Sequence, residues 1–182
     1  MIRKTKSHRK LINIRRPDYN VIIAQIEDLT RITEILNQAI EWGNANAYTE
    51  VFNTGDRIEW FYEHADGKYA IFVVKENNNV VGYLNIDPYR KGRQAFKYTA
   101  EVSYYVDFNH HRKGIASALM NHAFDHCINN KIKNLVAFLY GHNESSIIFL
   151  KKFGFKQWGL LPGAASIVEN DFDHVVYGKK IN

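Results

Sequence analysis

The stretch Glu101-Val-Ser-Tyr-Tyr-Val-Asp-Phe-Asn-His-His-Arg-Lys-Gly-Ile-Ala-Ser117 concentrates the residue types most able to do chemistry in this 182-residue chain. A strand-like run leads into a polar, basic loop, which leads directly into a helical pattern opening near Gly114. The first N–H groups of a helix have no internal partner, and the helix dipole adds positive potential at the same end. Such a terminus takes an anion, and Gly114 and Ala116 let the backbone approach one as bulky as a pyrophosphate. Arg112 and Lys113 supply charge at the rim. The run is not a P-loop, since GxxxxGK[ST] is absent, and no GxGxxG follows any strand. The same residues also fit an ordinary strand–turn–helix corner with a solvated basic turn, and physical reasoning alone leaves the two readings level. His122 and His126 stand four apart on the same helix. A zinc ion wants three or four ligands, and no further Cys/His cluster is in register, so no metal is expected. Cys127 continues the apolar stripe of Ile115, Ala118, Leu119 and Ala123 and reads as a core residue.

Positioning these residues requires a mixed α/β frame. Val21 to Ala24 reads as a short strand. Leu29, Ile32, Ile35, Leu36, Ala39 and Ile40 recur at helical spacing, and Ile58 to His64 is a second helix. Residues 69–74 and 80–86 form a hairpin around the Asn77-Asn78-Asn79 turn signal. Residues 87–96 are a connection, and Thr99 to Val106 is the strand before the basic loop, with Thr99, Glu101 and Ser103 on one face. Leu135 to Tyr140 is a strand, Glu144 to Lys152 a helix ended by Gly154, and a last strand lies near His174 to Lys180. The order predicts a central mixed β-sheet with helices on both faces.

Charge and composition narrow the classes. The chain carries 24 Lys and Arg against 19 Asp and Glu, a formal net of +5. Seven of the basic residues (Arg3, Lys4, Lys6, Arg9, Lys10, Arg15 and Arg16) precede Asp18, the first acidic residue, and the rest of the chain is slightly acidic. We read residues 1–20 as a basic extension and 21–182 as one domain. A basic arm can bind phosphates without sequence preference, but this one has no aromatic residues interleaved for stacking on bases. No apolar run reaches the ~18 residues of a membrane span, no signal-peptide pattern opens the chain, and one cysteine cannot form an internal disulfide. The expectation is a cytoplasmic protein.

His111-Arg112-Lys113-Gly114-Ile115-Ala116 resembles the [QR]-x-x-G-x-[GA] acetyl-CoA pyrophosphate loop of the GNAT superfamily of N-acetyltransferases. Gly82-Tyr83, Pro88-Tyr89-Arg90, Arg93, Phe96, Thr99-Ala-Glu101 and Tyr105-Val106 resemble its phosphinothricin and methionine-sulfone acetyltransferase branch. Asn143-x-x-Ser146 and Gly154-Phe155 match the superfamily's second cofactor segment, and Asn37-x-Ala39-Ile40, Trp60-Phe61 and Gly159-x-Leu161 also fit the branch. There are departures: His111 replaces Gln or Arg, Phe108 replaces Pro, and Leu150 stands where relatives carry a Tyr or His general acid. Ser166-Ile167-Val168 replaces a Gly-Phe-Lys segment, and His174 replaces Asp.

The resemblance implies a GNAT fold, acetyl-CoA as co-substrate, and direct attack of an amine on the thioester. The attack needs a neutral amine, and an α-amino group with pKa ~8 needs a base at neutral pH. By resemblance Glu101 is that base, directly or through a water, although the residue alone reads first as an exposed strand carboxylate in a cross-strand ion pair. Glu101→Gln is then expected to lower kcat most strongly at low pH. Tyr104, Tyr105 and Val106 would hold the pantetheine arm, with a backbone N–H near Tyr105 facing the thioester oxygen. His111, Arg112, Lys113, Gly114, Ile115, Ala116 and Ser117 would bind the pyrophosphate, and Asn143 and Ser146 the rest of the cofactor. Arg90 and Arg93 would grip an acidic acceptor, or else form a solvated basic loop. Trp42, Tyr48 and Trp60 are candidate pocket walls or core. A small amino-acid-like amine is the expected acceptor and a homodimer the expected assembly. The alternatives are a protein N-terminus, a ribosomal or tRNA-linked amine, or an acyl-CoA-binding regulator without turnover.

Overall fold

Alternation along the central strands sends side chains to two separate cores, and this fixes where the helices must lie. The computed structural model describes residues 18–43, 46–64, 67–167 and 170–181. The strands are β1 (Val21–Ile23), β2 (Ile71–Glu76), β3 (Asn79–Pro88), β4 (Thr99–Val106), β5 (Asn134–Tyr140), β6 (Lys156–Ile167) and β7 (Asn170–Lys180). They form one sheet in the order β1-β2-β3-β4-β5-β7-β6. The helices are α1 (Leu29–Trp42), α2 (Ile58–Tyr62), α3 (Ile115–Asn129) and α4 (Glu144–Lys152). On β2, Phe72 and Val74 face the core shared with Leu119, Met120 and Ala123 of α3 and Leu150 of α4. Ile71 and Val73 face the opposite core with Ile32, Ile35, Leu36 and Ile40 of α1. Because both faces are covered, β2 and β3 read as nearly continuous apolar runs.

The expected strands and helices are present, with one addition. Only a last strand near His174 to Lys180 was expected, whereas β6 and β7 form a long antiparallel hairpin. Gly159, Pro162 and Gly163 interrupt the pattern of β6, and its pairing slips between Gln157 and Gly159 and between Leu161 and Ala165. A proline is tolerated there because β6 is the edge of the sheet. The basic extension, apart from residues 18–20, and Val168 lie outside the described residues. Among the described residues no helix is long and apolar enough to cross a membrane.

Two local features position the site. The first is a split in the sheet. β4 pairs in parallel with β5 only over Thr99, Ala100 and Glu101. Beyond Glu101, β4 stays paired with β3 as far as Val106, while β5 stays paired with β7 as far as Tyr140. The side of β4 that faces away from β3 is therefore open from Val102 onward. The second is a close approach. A Cβ on Gly82 of β3 would lie 2.7 Å from Ile115 Cγ2, so a glycine there lets the first turn of α3 sit against the sheet.

Candidate active site

Glu101 and Asp87 stand directly opposite each other on β4 and β3. Glu101 lies on the face of β4 opposite Ala100 and Val102, which enter the α3 core. Burial raises its carboxyl from the ordinary range to about 7, and the charge of Asp87 adds to the rise. Asp87 is held by two partners. Asn85 Nδ2 donates to one carboxylate oxygen, and His64 Nε2 lies 2.9 Å from the other. The second ring nitrogen of His64, Nδ1, lies 2.7 Å from the Trp60 carbonyl oxygen. Both nitrogens face oxygens that accept, so the arrangement suits a doubly protonated imidazolium. Burial alone would lower the pKa of His64, but the hydrogen bond and charge of Asp87 outweigh it and raise it.

Glu101 and Asp87 open onto a cavity of about 600 Å³ between the α1 side of the sheet and the diverging end of β5. Its walls include Tyr48, Trp60, Tyr83, Tyr105, Phe138 and His174. Tyr83 and Tyr105 stack with ring centroids 5.3 Å apart. Arg57, in the single 3-10 turn before α2, also lines the cavity. It is only 7% exposed, with its guanidinium 3.6 Å from the Trp60 ring centroid and 5.4 Å from that of Phe52.

The loop after β4 is fixed at its first residue. Asp107 is buried and accepts from Arg31, from Gln38 Nε2 at 3.1 Å, from Asn109 N at 3.0 Å and from His110 Nδ1 at 2.8 Å. Burial would raise its carboxyl, but these donors outweigh it and hold the group below the usual range. Gln38 Oε1 in turn accepts from Phe108 N at 3.1 Å, which ties the loop to α1. His111 Nε2 donates to the Val106 carbonyl at 3.0 Å. Arg112 and Gly114 both take left-handed conformations, with φ of 61° and 96°. Gly114 thus caps α3 in a geometry that favours glycine. The N–H groups of Ile115, Ala116 and Ser117 have no partner within the helix. Arg112 and Lys113 are exposed beside them. At the start of α4, Asn143 Oδ1 accepts from Ser146 N at 3.1 Å and from the Ser145 hydroxyl at 3.0 Å. The Tyr104 ring packs 4.8 Å from Phe149, and its buried hydroxyl makes no well-formed hydrogen bond.

Comparison with known proteins identifies the family. The profile of the acetyltransferase (GNAT) family matches residues 32–155. YwnH of Bacillus subtilis, provisionally named a phosphinothricin acetyltransferase, is 34% identical over 160 residues, covering 88% of this chain and 98% of that one. The chain belongs to the acetyltransferase (GNAT) family. The L-methionine sulfoximine/L-methionine sulfone acetyltransferase of Salmonella typhimurium is 29% identical over 135 residues, covering 74% of this chain and 78% of that protein. The structure of yncA from Salmonella typhimurium with its cofactor acetyl-CoA superposes with a TM-score of 0.84 at 25% identity, covering 91% of this chain and 95% of that one.

In this acetyltransferase, the residues singled out from sequence fall into three places. Glu101 lies in the cavity wall, Tyr104, Tyr105 and Val106 lie along the open stretch of β4, and His111 to Ser117 surround the start of α3. Asn143 and Ser146 form the start of α4, where Asn143 is a helix cap. Arg90 and Arg93 do not line the Glu101 cavity. They line a second one of about 440 Å³, with His64, Tyr89 and Phe96, and Asp87 belongs to the walls of both. Trp60 and Tyr48 line the first cavity, whereas Trp42 packs edge-on against Phe108. Leu150 is buried in the core. His122 and His126 pack against the Phe72 ring, and Cys127 is buried, with its thiol pushed up to about 12. Sequence reasoning missed Arg57, His64, Asp87 and Asp107. Asp87 could have been found by setting the predicted strands in register opposite Glu101. The other three depend on contacts between distant segments.

Proposed function

We propose that this acetyltransferase transfers the acetyl group of acetyl-CoA to the primary amine of a small amino-acid-like acceptor, of the phosphinothricin or methionine sulfone type. The observation that carries the reading is Glu101, a desolvated carboxylate at the residue where β4 and β5 part, with a cavity of small-molecule size beside it. Acetyl-CoA, when bound, supplies the activated thioester. The chain's own groups do the rest. The free N–H groups of Ile115, Ala116 and Ser117, with Arg112 and Lys113 at the rim, suit the pyrophosphate. The open stretch from Tyr104 to Val106 offers backbone hydrogen bonds to an amide-bearing arm, and an N–H near Tyr105 would stabilise charge developing on the thioester oxygen. Asn143 supports this end by capping α4, beside Ser146. Glu101 takes the proton from the acceptor ammonium, directly or through one water. No acid is required at Leu150, because a thiol of pKa ~8.5 leaves as the thiolate. Arg90 and Arg93, across Asp87 from Glu101, are assigned to the outer, side-chain end of the acceptor.

The assembly assigned is a homodimer. The edge strand β6 exposes Trp158, Leu160 and Leu161, an apolar stretch suited to a second copy. The site assigned is the cytoplasm, in keeping with a single free thiol and no disulfide. The test of function is turnover, read by mass spectrometry, with methionine sulfone, methionine sulfoximine, phosphinothricin, ordinary amino acids and a peptide amine. Selective acetylation of the methionine and glutamate analogues is the expected result. Acetyl-CoA binding without any acetylated product would overturn it in favour of a macromolecular acceptor or a non-catalytic role.

A further inference from the structure

Among the described residues, Arg57 is the one guanidinium in the wall of the Glu101 cavity, and its Nε finds no acceptor there. Its Nε is buried without a hydrogen-bond partner, and it forms no ion pair among the described residues. The Trp60 and Phe52 rings cover its faces. The rings offer the cation π-faces but no acceptor for its N–H groups, and Nε is left in want of one. Neither acidic group of the cavity is ion-paired with Arg57: Asp87 is bonded to His64 and Asn85, and Glu101 stands opposite Asp87 on β4. The surrounding tyrosines, Tyr48, Tyr83 and Tyr105, give the charge no counter-ion. A buried guanidinium held in a cavity without an anion is what remains when the anion arrives with the ligand.

We propose that Arg57 binds the α-carboxylate of the acceptor, so that the cavity selects free amino acids over their amides, esters and peptides. The assignment rests on the reading of the Glu101 cavity as the acceptor site. The cavity then carries both halves of a zwitterion's complement, with Glu101 and Asp87 for the ammonium and Arg57 for the carboxylate. A planar carboxylate meets the fork in two parallel hydrogen bonds, which fixes the direction in which the amine points. Arg57 is therefore a specificity residue set apart from Arg90 and Arg93, which face the second cavity.

The test compares methionine sulfone with its carboxamide as acceptors for the wild type, Arg57→Met and Arg57→Lys. The sulfone is neutral, so the carboxylate is the only anion that differs. Arg57→Met is expected to lower kcat/KM for the acid about 100-fold, mainly through KM, and to change the amide by less than about threefold. Arg57→Lys, which keeps the charge but not the fork, is expected to fall between and covers the case in which the methionine variant fails to fold. Equal losses for acid and amide in a folded variant would overturn the proposal. So would loss of acid preference on replacing Arg90 or Arg93 but not Arg57. If the wild type acetylates neither compound, the reading of function fails, and calorimetry still decides the role of Arg57. Methionine sulfone binding to the wild type but not to Arg57→Met supports it, and equal or absent binding to both overturns it.

Discussion

At the scale of single residues, burial changes what Glu101 does with pH. A base with an ordinary carboxyl pKa would work throughout the acid range, and its loss would then be felt most at low pH. With its pKa raised to about 7, Glu101 is protonated below neutrality, and the proposed base is then already lost from the wild type. Glu101→Gln should therefore lower kcat/KM by about 100-fold or more at pH 8, and by progressively less below pH 6.5. Steady-state rates with methionine sulfone across pH 5.5–8.5 would check this, and a difference that stays constant or grows toward low pH would remove Glu101 from the base role. Stability carries a second signature. Because the folded pKa lies above the unfolded one, ionising Glu101 opposes folding, and stability falls as pH rises from about 4.5 through about 7. The glutamine variant should be more stable than the wild type at pH 8, by up to about 3 kcal/mol in urea denaturation, and little different at pH 4.5. The position of Glu101 could be read from alternation along Thr99, Glu101 and Ser103. Its pKa could not, since that comes from Asp87 and from walls contributed by distant segments.

At the scale of elements, the proposed anion site at the start of α3 depends on how tightly α3 approaches β3. Gly82→Ala would drive a methyl group to within 2.7 Å of Ile115 Cγ2, and the first turn of α3 must then move. The expected cost is about 1–3 kcal/mol of stability, with a weakening of acetyl-CoA binding that no residue of the loop itself accounts for. Urea denaturation and calorimetry with CoA would measure the two, and unchanged values for both would mean that α3 does not need this contact. The sequence carried α1, α3 and the central strands clearly, because their apolar residues recur at a single period over many positions. It carried β6 poorly, because Gly159, Pro162 and Gly163 break the alternation on a strand whose pairing is supplied by β7. The parting of β4 and β5 was not legible at all. Nothing in Val102 to Val106 differs in pattern from a strand paired on both sides, and pairing partners are fixed by the whole sheet. The glycine-bearing loop was legible as a strand–loop–helix corner opening at Gly114, whereas its anchoring through Asp107 to Arg31 and Gln38 of α1 joins segments about 70 residues apart.

At the scale of the whole molecule, the open stretch of β4 leaves one sheet made of two halves joined by three residue pairs. Among the described residues, alternate backbone groups beyond Glu101 have no strand to meet, which leaves the ladder there open to hydrogen bonds from a ligand. Hydrogen exchange should find the open-side amides between Val102 and Val106 fast in the free protein and slowed by CoA, whereas amides directed toward β3 stay slow in both states. Uniform protection without CoA would mean that the opening is closed in solution. A cofactor that binds only the folded chain adds about 2.7 kcal/mol to its stability at one hundred times the dissociation constant. The amount of this enzyme that survives in a cell is thereby coupled to the supply of coenzyme A. When that supply falls, the enzyme molecules without coenzyme A become the ones most readily unfolded and degraded.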